Sequence, residues 1–361
     1  MIQVIHFYKL RVKEVRKETP DCVSILFDVP SELEEQFRFT HGQYLTLRTH
    51  INGEEVRRSY SVCSSPLENE LRVAVKKVDN GSFSRFANEN LKAGDVLEAM
   101  PPIGKFFTPL DPAQTKHYAA FAAGSGITPI LSIIKTTLLS EPRSRFTLVY
   151  GNRNRHSIIF KEEIEGLKNK FMNRLSVLNI LSREKMDAPL NFGRIDKEKC
   201  DLIFSKAIDP NTVDEFFICG PEEMTMQVKE SLEDRGIAEK RIHFELFTSH
   251  GLRKTAVESR KAAGPIAAQS KVTIILDGSS FSMDMHFEGE SILDAALKKG
   301  ADLPYACKGG VCCTCRAKLV TGEVDMDLNY GLEPEEVEQG YILTCQSHPR
   351  TEEVVVNFDV K

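Results

Sequence analysis

Apolar and polar positions change rhythm along this chain, and each change marks a different kind of structure. Over residues 1–110 the apolar runs are short and partly alternating. Val23–Val29, Gln43–Thr49, Arg57–Cys63 and Leu71–Val78 read as strands, separated by Gly, Pro and polar punctuation. That pattern predicts a small antiparallel β-barrel. The turn-rich stretches Pro101-Pro102 and Thr108-Pro109-Leu110-Asp111-Pro112 end it. From 111 to 250 strand-length runs alternate with helical patterns. Strands are predicted at Tyr118–Ala123, Phe146–Tyr150, Leu175–Leu181 and Glu215–Cys219, and helices at Pro129–Leu139, Ser157–Asn169 and Glu222–Arg235. This βαβ order predicts an α/β domain with a parallel sheet that binds its ligand at the carboxyl ends of the strands. Residues 251–270 are small, basic and turn-forming with weak periodicity, and read as a linker. Residues 271–361 form a third unit, opening with the alternating strand Val272–Leu276 and closing with Val354–Phe358.

Length agrees with this multidomain division, since 361 residues are too many for one ordinary core. Composition, 41% hydrophobic and 27% charged, is that of a globular chain. No apolar run approaches the roughly 18 residues that span a bilayer, and the first residues lack a signal-peptide pattern, so a cytoplasmic protein with no membrane partner is expected. Charge is uneven. Residues 271–361 carry 8 Lys and Arg against 16 Asp and Glu, a net of −8 in a chain whose total is −5. An acidic unit on a mildly basic body argues against a nucleic-acid partner and allows electrostatic steering between protein surfaces.

The nine cysteines change the picture most. Cys22, Cys63, Cys200 and Cys219 are scattered, whereas five fall within the last 55 positions. The run Cys307-Lys308-Gly309-Gly310-Val311-Cys312-Cys313-Thr314-Cys315 spaces cysteines as C-x4-C-x2-C, with Cys345 after 29 more residues. This is the spacing of a plant-type [2Fe–2S] site. Four thiolates bring the oxidised two-iron core to a charge of −2, and one electron makes it −3. Gly309 and Gly310 allow a loop whose backbone N–H groups face the sulfurs. Zinc would call for two paired knuckles, and only one is present. Disulfides do not suit the compartment. Cys307, Cys312, Cys315 and Cys345 are therefore the metal ligands expected, and Cys313 falls outside the spacing. Leu303–Val320 together with Ile342-Leu343-Thr344-Cys345 resembles plant-type ferredoxin domains across 271–361, which implies an α+β, β-grasp-like fold.

Two segments of the first unit look like the flavin-binding signature of the ferredoxin–NADP reductase family: Arg58-Ser59-Tyr60-Ser61 and Asp79-Asn80-Gly81-Ser82-Phe83-Ser84. By that resemblance Arg58 pairs with the flavin phosphates, Tyr60 stacks on the ring system and the Ser61 hydroxyl lies near N5. Ser59, Val75, Lys77 and Phe83 join the flavin-side candidates. Gly81 permits close backbone approach, and Ser82 and Ser84 can bond a phosphate at a helix start. FAD is the expected flavin, although Gly104-Lys105-Phe106-Phe107 carries no signal that separates it from FMN.

Ala123-Gly124-Ser125-Gly126-Ile127-Thr128-Pro129 follows a strand and opens a helix. It lacks the third glycine of the strict dinucleotide fingerprint. Gly124 and Gly126 still make a pyrophosphate cradle, with Thr128 as cap and Pro129 in the first turn. The same reductase family carries this G-x-G-x-x-P form. It also places a Cys219-Gly220-Pro221 segment beside the nicotinamide, with Cys219 near the line of hydride transfer, and an aromatic over the flavin. Phe247 is the candidate for that gate and Glu245 stands nearby. In Leu181-Ser182-Arg183-Glu184, Arg183 and Ser182 suit a 2′-phosphate, with Arg153 and Arg155 reinforcing the positive field, so NADPH is favoured over NADH.

The order barrel, nucleotide domain, ferredoxin resembles the reductase components of bacterial multicomponent oxygenases. The resemblance implies a catalytic route from NADPH through FAD and the cluster to an external acceptor, a di-iron oxygenase. Another protein acceptor, such as a small carrier or a hybrid-cluster protein, would be served by the same motifs, and a non-catalytic iron–sulfur scaffold is the remaining alternative.

Overall fold

The computed structural model describes residues 6–247 and 269–360. They form two compact units: Phe7–Val56 with Tyr60–Leu246, and Arg57–Ser59 with the described residues from Phe247 onward.

The larger unit holds two sheets. Strands β1 (Tyr8–Thr19), β2 (Cys22–Asp28), β3 (Tyr44–Ile51), β4 (Glu54–Ser61), β5 (Leu71–Lys76) and β6 (Val96–Ala99) run in the order β4-β3-β6-β1-β2-β5. The two edges meet at the bridge Val62–Val73, where Cys63 N–H donates to the Arg72 carbonyl at 2.8 Å, so the sheet closes on itself. Closure removes exposed edges and encloses a core of Leu10, Val12, Ile25, Leu45, Leu47 and Val73. The sequence pattern does not predict β1. Its outward positions are largely Lys, Arg and Glu, which hide the inward Leu10 and Val12 in a charge-rich segment. A helix, α1 (Ser82–Glu89), follows β5.

The second sheet is parallel, with β7 (His117–Ala123), β8 (Arg145–Asn152), β9 (Leu175–Leu181), β10 (Glu215–Gly220) and β11 (Ile242–Leu246) in the order β11-β10-β7-β8-β9. Strand alternation sends Ala120, Ala122, Phe217 and Cys219 into one core and Ala119, Phe121, Phe216 and Ile218 into another. Helices α2 (Ile127–Ser140), α3 (Lys161–Lys170), α4 (Lys197–Lys206) and α5 (Glu222–Glu233) connect the strands. Two expectations need correction. The helix predicted from Ser157 begins only at Lys161, because Asn154 closes a short turn by accepting from His156 N–H and Ser157 N–H, and Phe160 has φ 59°. Helix α4 escaped prediction, as its apolar face is short: Cys200, Ile203 and Phe204, behind an Asp196 cap.

The smaller unit is a five-stranded mixed sheet, β13-β12-β18-β14-β16, from β12 (Gln269–Leu276), β13 (Ser279–His286), β14 (Arg316–Thr321), β16 (Tyr341–Leu343) and β18 (Glu353–Asn357). A short pair, β15 (Val324–Met326) with β17 (Ser347–Pro349), stands beside it. Helix α6 (Ile292–Lys298) buries Ile292, Leu293 and Ala296 in its core, a β-grasp arrangement. The expected linker lies outside the described residues except for its last two positions, Gln269 and Ser270, which open β12. No helix among the described residues is long and apolar enough to cross a membrane.

Candidate functional site

The loop between α6 and β14 gathers the cysteines. Cys307 and Cys312 sulfurs are 3.1 Å apart, and Gly309 N–H donates to Cys307 Sγ at 3.3 Å. Cys345 lies against both Cys307 and Cys315. Cys312, Cys315 and Cys345 are buried, while Cys307 is partly exposed. Backbone geometry makes the loop possible: Lys308 takes φ 51° and Gly310 φ 74°, turning the chain sharply between ligands. A Cβ on Gly310 would stand 2.7 Å from the Leu328 carbonyl, so glycine is required there. The neighbouring Cys312 and Cys345 thiols, and then the backbone N–H groups of Gly309 and Val311, hold the Cys307 thiol well below its ordinary range. No group of three or more metal-binding side chains converges on a single-ion position among the described residues. The sulfurs instead adjoin one another in a chain from Cys312 through Cys307 and Cys345 to Cys315.

On the barrel, Tyr60 and Phe83 bring the two flavin segments together, with ring centroids 5.2 Å apart. Arg58 is exposed, and its guanidinium donates to the Arg57 carbonyl. Helix α1 starts at Gly81 with no side-chain cap, leaving its first N–H groups for an anion. Ser84 is not available for that purpose: its hydroxyl accepts from Val78 N–H and donates to the Gly81 carbonyl. Ser82 remains exposed. Val75 packs into the core, and the Lys77 ammonium pairs with Glu89 at 2.9 Å. The side chain that strand alternation does direct toward the nucleotide loop is Lys76, whose Nζ lies 3.4 Å from where a Cβ on Gly124 would stand. Ser61, buried at the end of β4, donates to Glu245 Oε2 at 3.2 Å.

Gly124, Asn152, Ser182 and Cys219 all stand at carboxyl ends of parallel strands, where such sheets take ligands. Gly124 to Gly126 make one tight turn before α2, with Gly124 at φ 53°. Thr128 does not cap α2, contrary to expectation. The helix already starts at Ile127, so Thr128 sits inside the first turn and donates to the Ser125 carbonyl at 3.0 Å. A Cβ on Gly126 would lie 2.0 Å from the Cys219 carbonyl oxygen, and one on Gly220 would lie 2.6 Å from Met224 Cε. Pro221 precedes α5. Register places Cys219 opposite Glu245. Burial pushes the Cys219 thiol well above its usual range, so it stays protonated and is no nucleophile. Phe247, just after β11, is 36% exposed, whereas Phe244 packs against the sheet.

At the ends of β8 and β9, Arg183 N–H donates to the Arg153 carbonyl at 2.8 Å, so the two arginines emerge side by side. Both are exposed. Arg155, expected to add to the field, is instead engaged by Glu184 through its backbone N–H and its guanidinium. Sequence reasoning missed Asn152, which is 8% exposed. It is buried close to the Tyr150 hydroxyl. Its place within Gly151-Asn152-Arg153-Asn154-Arg155 was its only sequence signal.

Comparison with known proteins finds matches to three domain families. The chain matches an oxidoreductase FAD-binding domain over residues 9–107, an oxidoreductase NAD-binding domain over 121–230 and a 2Fe-2S iron–sulfur cluster binding domain over 274–350. It is similar to one of the subunits of 1,2-phenylacetyl-CoA epoxidase from Escherichia coli (strain K12), with 46% identity and 98% of each chain covered. It is also similar to the ferredoxin reductase component of 3-ketosteroid-9-alpha-monooxygenase from Rhodococcus rhodochrous, at 34% identity over 97% of this chain and 96% of that one. Among solved structures, phthalate dioxygenase reductase shares the fold, with a TM-score of 0.59 and 23% identity over 98% of both chains.

Proposed function

The chain belongs to the family of oxygenase reductase components, and from that premise we propose that it takes electrons from NADPH and delivers them to an oxygenase that epoxidises phenylacetyl-CoA. That it is an NAD(P)H-dependent flavin and iron–sulfur oxidoreductase follows from its three matched domains and its relatives. The acceptor rests on one observation: 46% identity, sustained over 98% of the chain, to a protein of the phenylacetyl-CoA epoxidase. We assign FAD to residues 1–110, the nicotinamide nucleotide to 111–250 and the cluster to 271–361, joined by 251–270.

Bound FAD and cluster supply the conversion of a two-electron hydride into single electrons. The chain's residues bind, orient and set charge. Arg58, Tyr60 and the N–H groups at Ser82 and Phe83 are assigned to the flavin. The turn at Gly124 and Gly126, with Lys76 behind it, is assigned to the pyrophosphate. Arg153, Ser182 and Arg183 are assigned to the 2′-phosphate, for which a guanidinium fork is well shaped. Replacing Arg183 with Ala is expected to lower kcat/KM for NADPH by about 10- to 100-fold, the loss of one or two charge-assisted bonds, and to leave NADH nearly unchanged. Equal losses with both nucleotides would defeat the assignment. Coupled turnover with purified epoxidase and phenylacetyl-CoA tests the acceptor, and no product above an oxygenase-only control would defeat that.

Ser61 and Glu245 are assigned to the wall facing the nicotinamide and N5. Protein around Glu245 withholds solvent and raises its carboxyl to about 8, against the lowering effect of the Ser61 hydroxyl. At neutral pH it holds its proton, and the wall is uncharged. The folded chain therefore binds a proton there that the unfolded chain, at 4.5, has released, so this group's contribution to stability falls as pH rises from 4.5 to about 8. Flavin reduction followed by stopped flow is expected to slow as pH passes about 8, and Glu245→Gln is expected to remain level across that range. An unchanged limb in the variant would remove Glu245 from this role.

A further inference from the structure

Gln346 follows the last cluster ligand, and its side chain faces back across the loop that carries the first two. It is 2% exposed. Its Nε2 lies 3.1 Å from the Lys308 carbonyl, 2.9 Å from the Cys345 carbonyl and 3.6 Å from Cys345 Sγ. All three are acceptors once Cys345 is a thiolate, so the amide nitrogen belongs on that side. The stem also packs on the loop: a Cβ on Gly310 would stand 3.1 Å from Gln346 Cγ. The backbone of Gln346 is tied on both sides, with its N–H donating to Leu343 O and its carbonyl accepting from Asp327 N–H, each at 2.9 Å. Lys308 is held from its other end as well. Its ammonium pairs with Asp294 at 2.7 Å and lies 4.6 Å from the Tyr305 ring centroid.

Packing alone does not call for an amide here. A buried amide costs free energy unless its N–H groups are bonded, and leucine or methionine would fill the same volume without that cost. What the amide adds is two donors shared among the Cys345 carbonyl, the carbonyl of Lys308, a residue in left-handed conformation, and, at the longest distance, one ligand sulfur.

We propose that Gln346 is a positioning residue that sets the cluster's reduction potential, by donating to Cys345 Sγ while clamping the Lys308 carbonyl. Reduction takes the four-thiolate cluster from −2 to −3. A donor toward sulfur stabilises the more negative state more, so it raises the potential. Its loss makes the cluster a poorer acceptor for electrons from the flavin.

Two variants of the full-length holoenzyme test this, with the potential measured by EPR-monitored redox titration. Gln346→Leu removes both donors at similar volume, and Gln346→Glu keeps the shape while replacing the donor with an acceptor. Each is expected to lower the reduction equilibrium constant about tenfold, which is 59 mV for a one-electron couple, with the larger shift for Glu. The Fe–S stretching bands in resonance Raman spectra are expected to shift on exchange into D₂O in the unsubstituted protein and to shift less in Gln346→Leu. NADPH oxidation by ferricyanide, which draws on the flavin, is expected to be unchanged. Potentials equal to the parent's in fully loaded variants would overturn the proposal. So would loss of the cluster from both variants, which would make Gln346 a brace for the loop alone.

Discussion

Cys312→Ser is expected to abolish oxygenase-coupled turnover while Cys313→Ser leaves it nearly intact. The two cysteines are adjacent in sequence, so the contrast isolates ligation from local packing. Cys312 Sγ lies 3.1 Å from Cys307 Sγ, which Cys345 also meets. Losing an outer-shell partner alone weakens a metal site by about 10- to 100-fold, and losing a thiolate ligand should exceed that. Coupled turnover is therefore expected to fall by more than about 100-fold in Cys312→Ser. Iron content and the EPR signal of the reduced cluster should fall with it. NADPH oxidation by ferricyanide should persist in both variants, because it draws on the flavin and not on the cluster. A Cys312→Ser protein that keeps its EPR signal would remove Cys312 from the ligand set, and a Cys313→Ser protein that loses it would bring Cys313 in.

Gly126→Ala is the second large effect expected, and it acts on the hydride step. The added Cβ would stand 2.0 Å from the Cys219 carbonyl oxygen, 2.4 Å from its carbon and 2.9 Å from Gly220 N. These are backbone atoms of a central strand, held by β7 on one side and β11 on the other, so they cannot move aside cheaply. The Gly124–Gly126 turn must lift away instead. Overpacking of this kind costs about 1–3 kcal/mol. A displacement near 1 Å between the nucleotide cradle and Cys219 can cost about 100-fold in rate. Stopped-flow reduction of the flavin by NADPH is therefore expected to slow by about two orders of magnitude, with the cluster's EPR signal unchanged. Gly166→Ala is the control, because nothing lies within 4 Å of its Cβ position. A Gly126→Ala protein with normal flavin reduction would show that the close approach does not set the site.

Chemistry that depends on residues near in sequence is legible in the chain alone. Cysteine spacing is set by the size of a two-iron core, so C-x4-C-x2-C with Cys345 announces the cluster. The change from short alternating runs to strand–helix alternation announces a barrel followed by a parallel sheet, because side-chain period reflects which faces are buried. Legibility fails where local signals are masked. β1 presents charge on its outer face, and α4 has three buried apolar side chains over ten residues. It fails again where one residue can serve two roles. The Ser84 hydroxyl closes its own loop, Thr128 bonds back to Ser125, and Arg155 belongs to Glu184.

The sequence by itself thus determined which cofactor chemistries this protein can support and the order in which its units carry them. Only the tertiary structure decided which groups meet. Ser61 and Glu245 are 184 positions apart, yet they share a hydrogen bond because a barrel strand and a sheet strand end at the same place. Lys76 rather than Lys77 reaches Gly124 because alternation along β5 assigns them opposite sides. Gln346 reaches Lys308 across 38 positions because the fourth cysteine must fold back onto the loop of the other three. Such approaches leave no periodic trace in the sequence, since they arise where separate elements end and not from the pattern within any one of them.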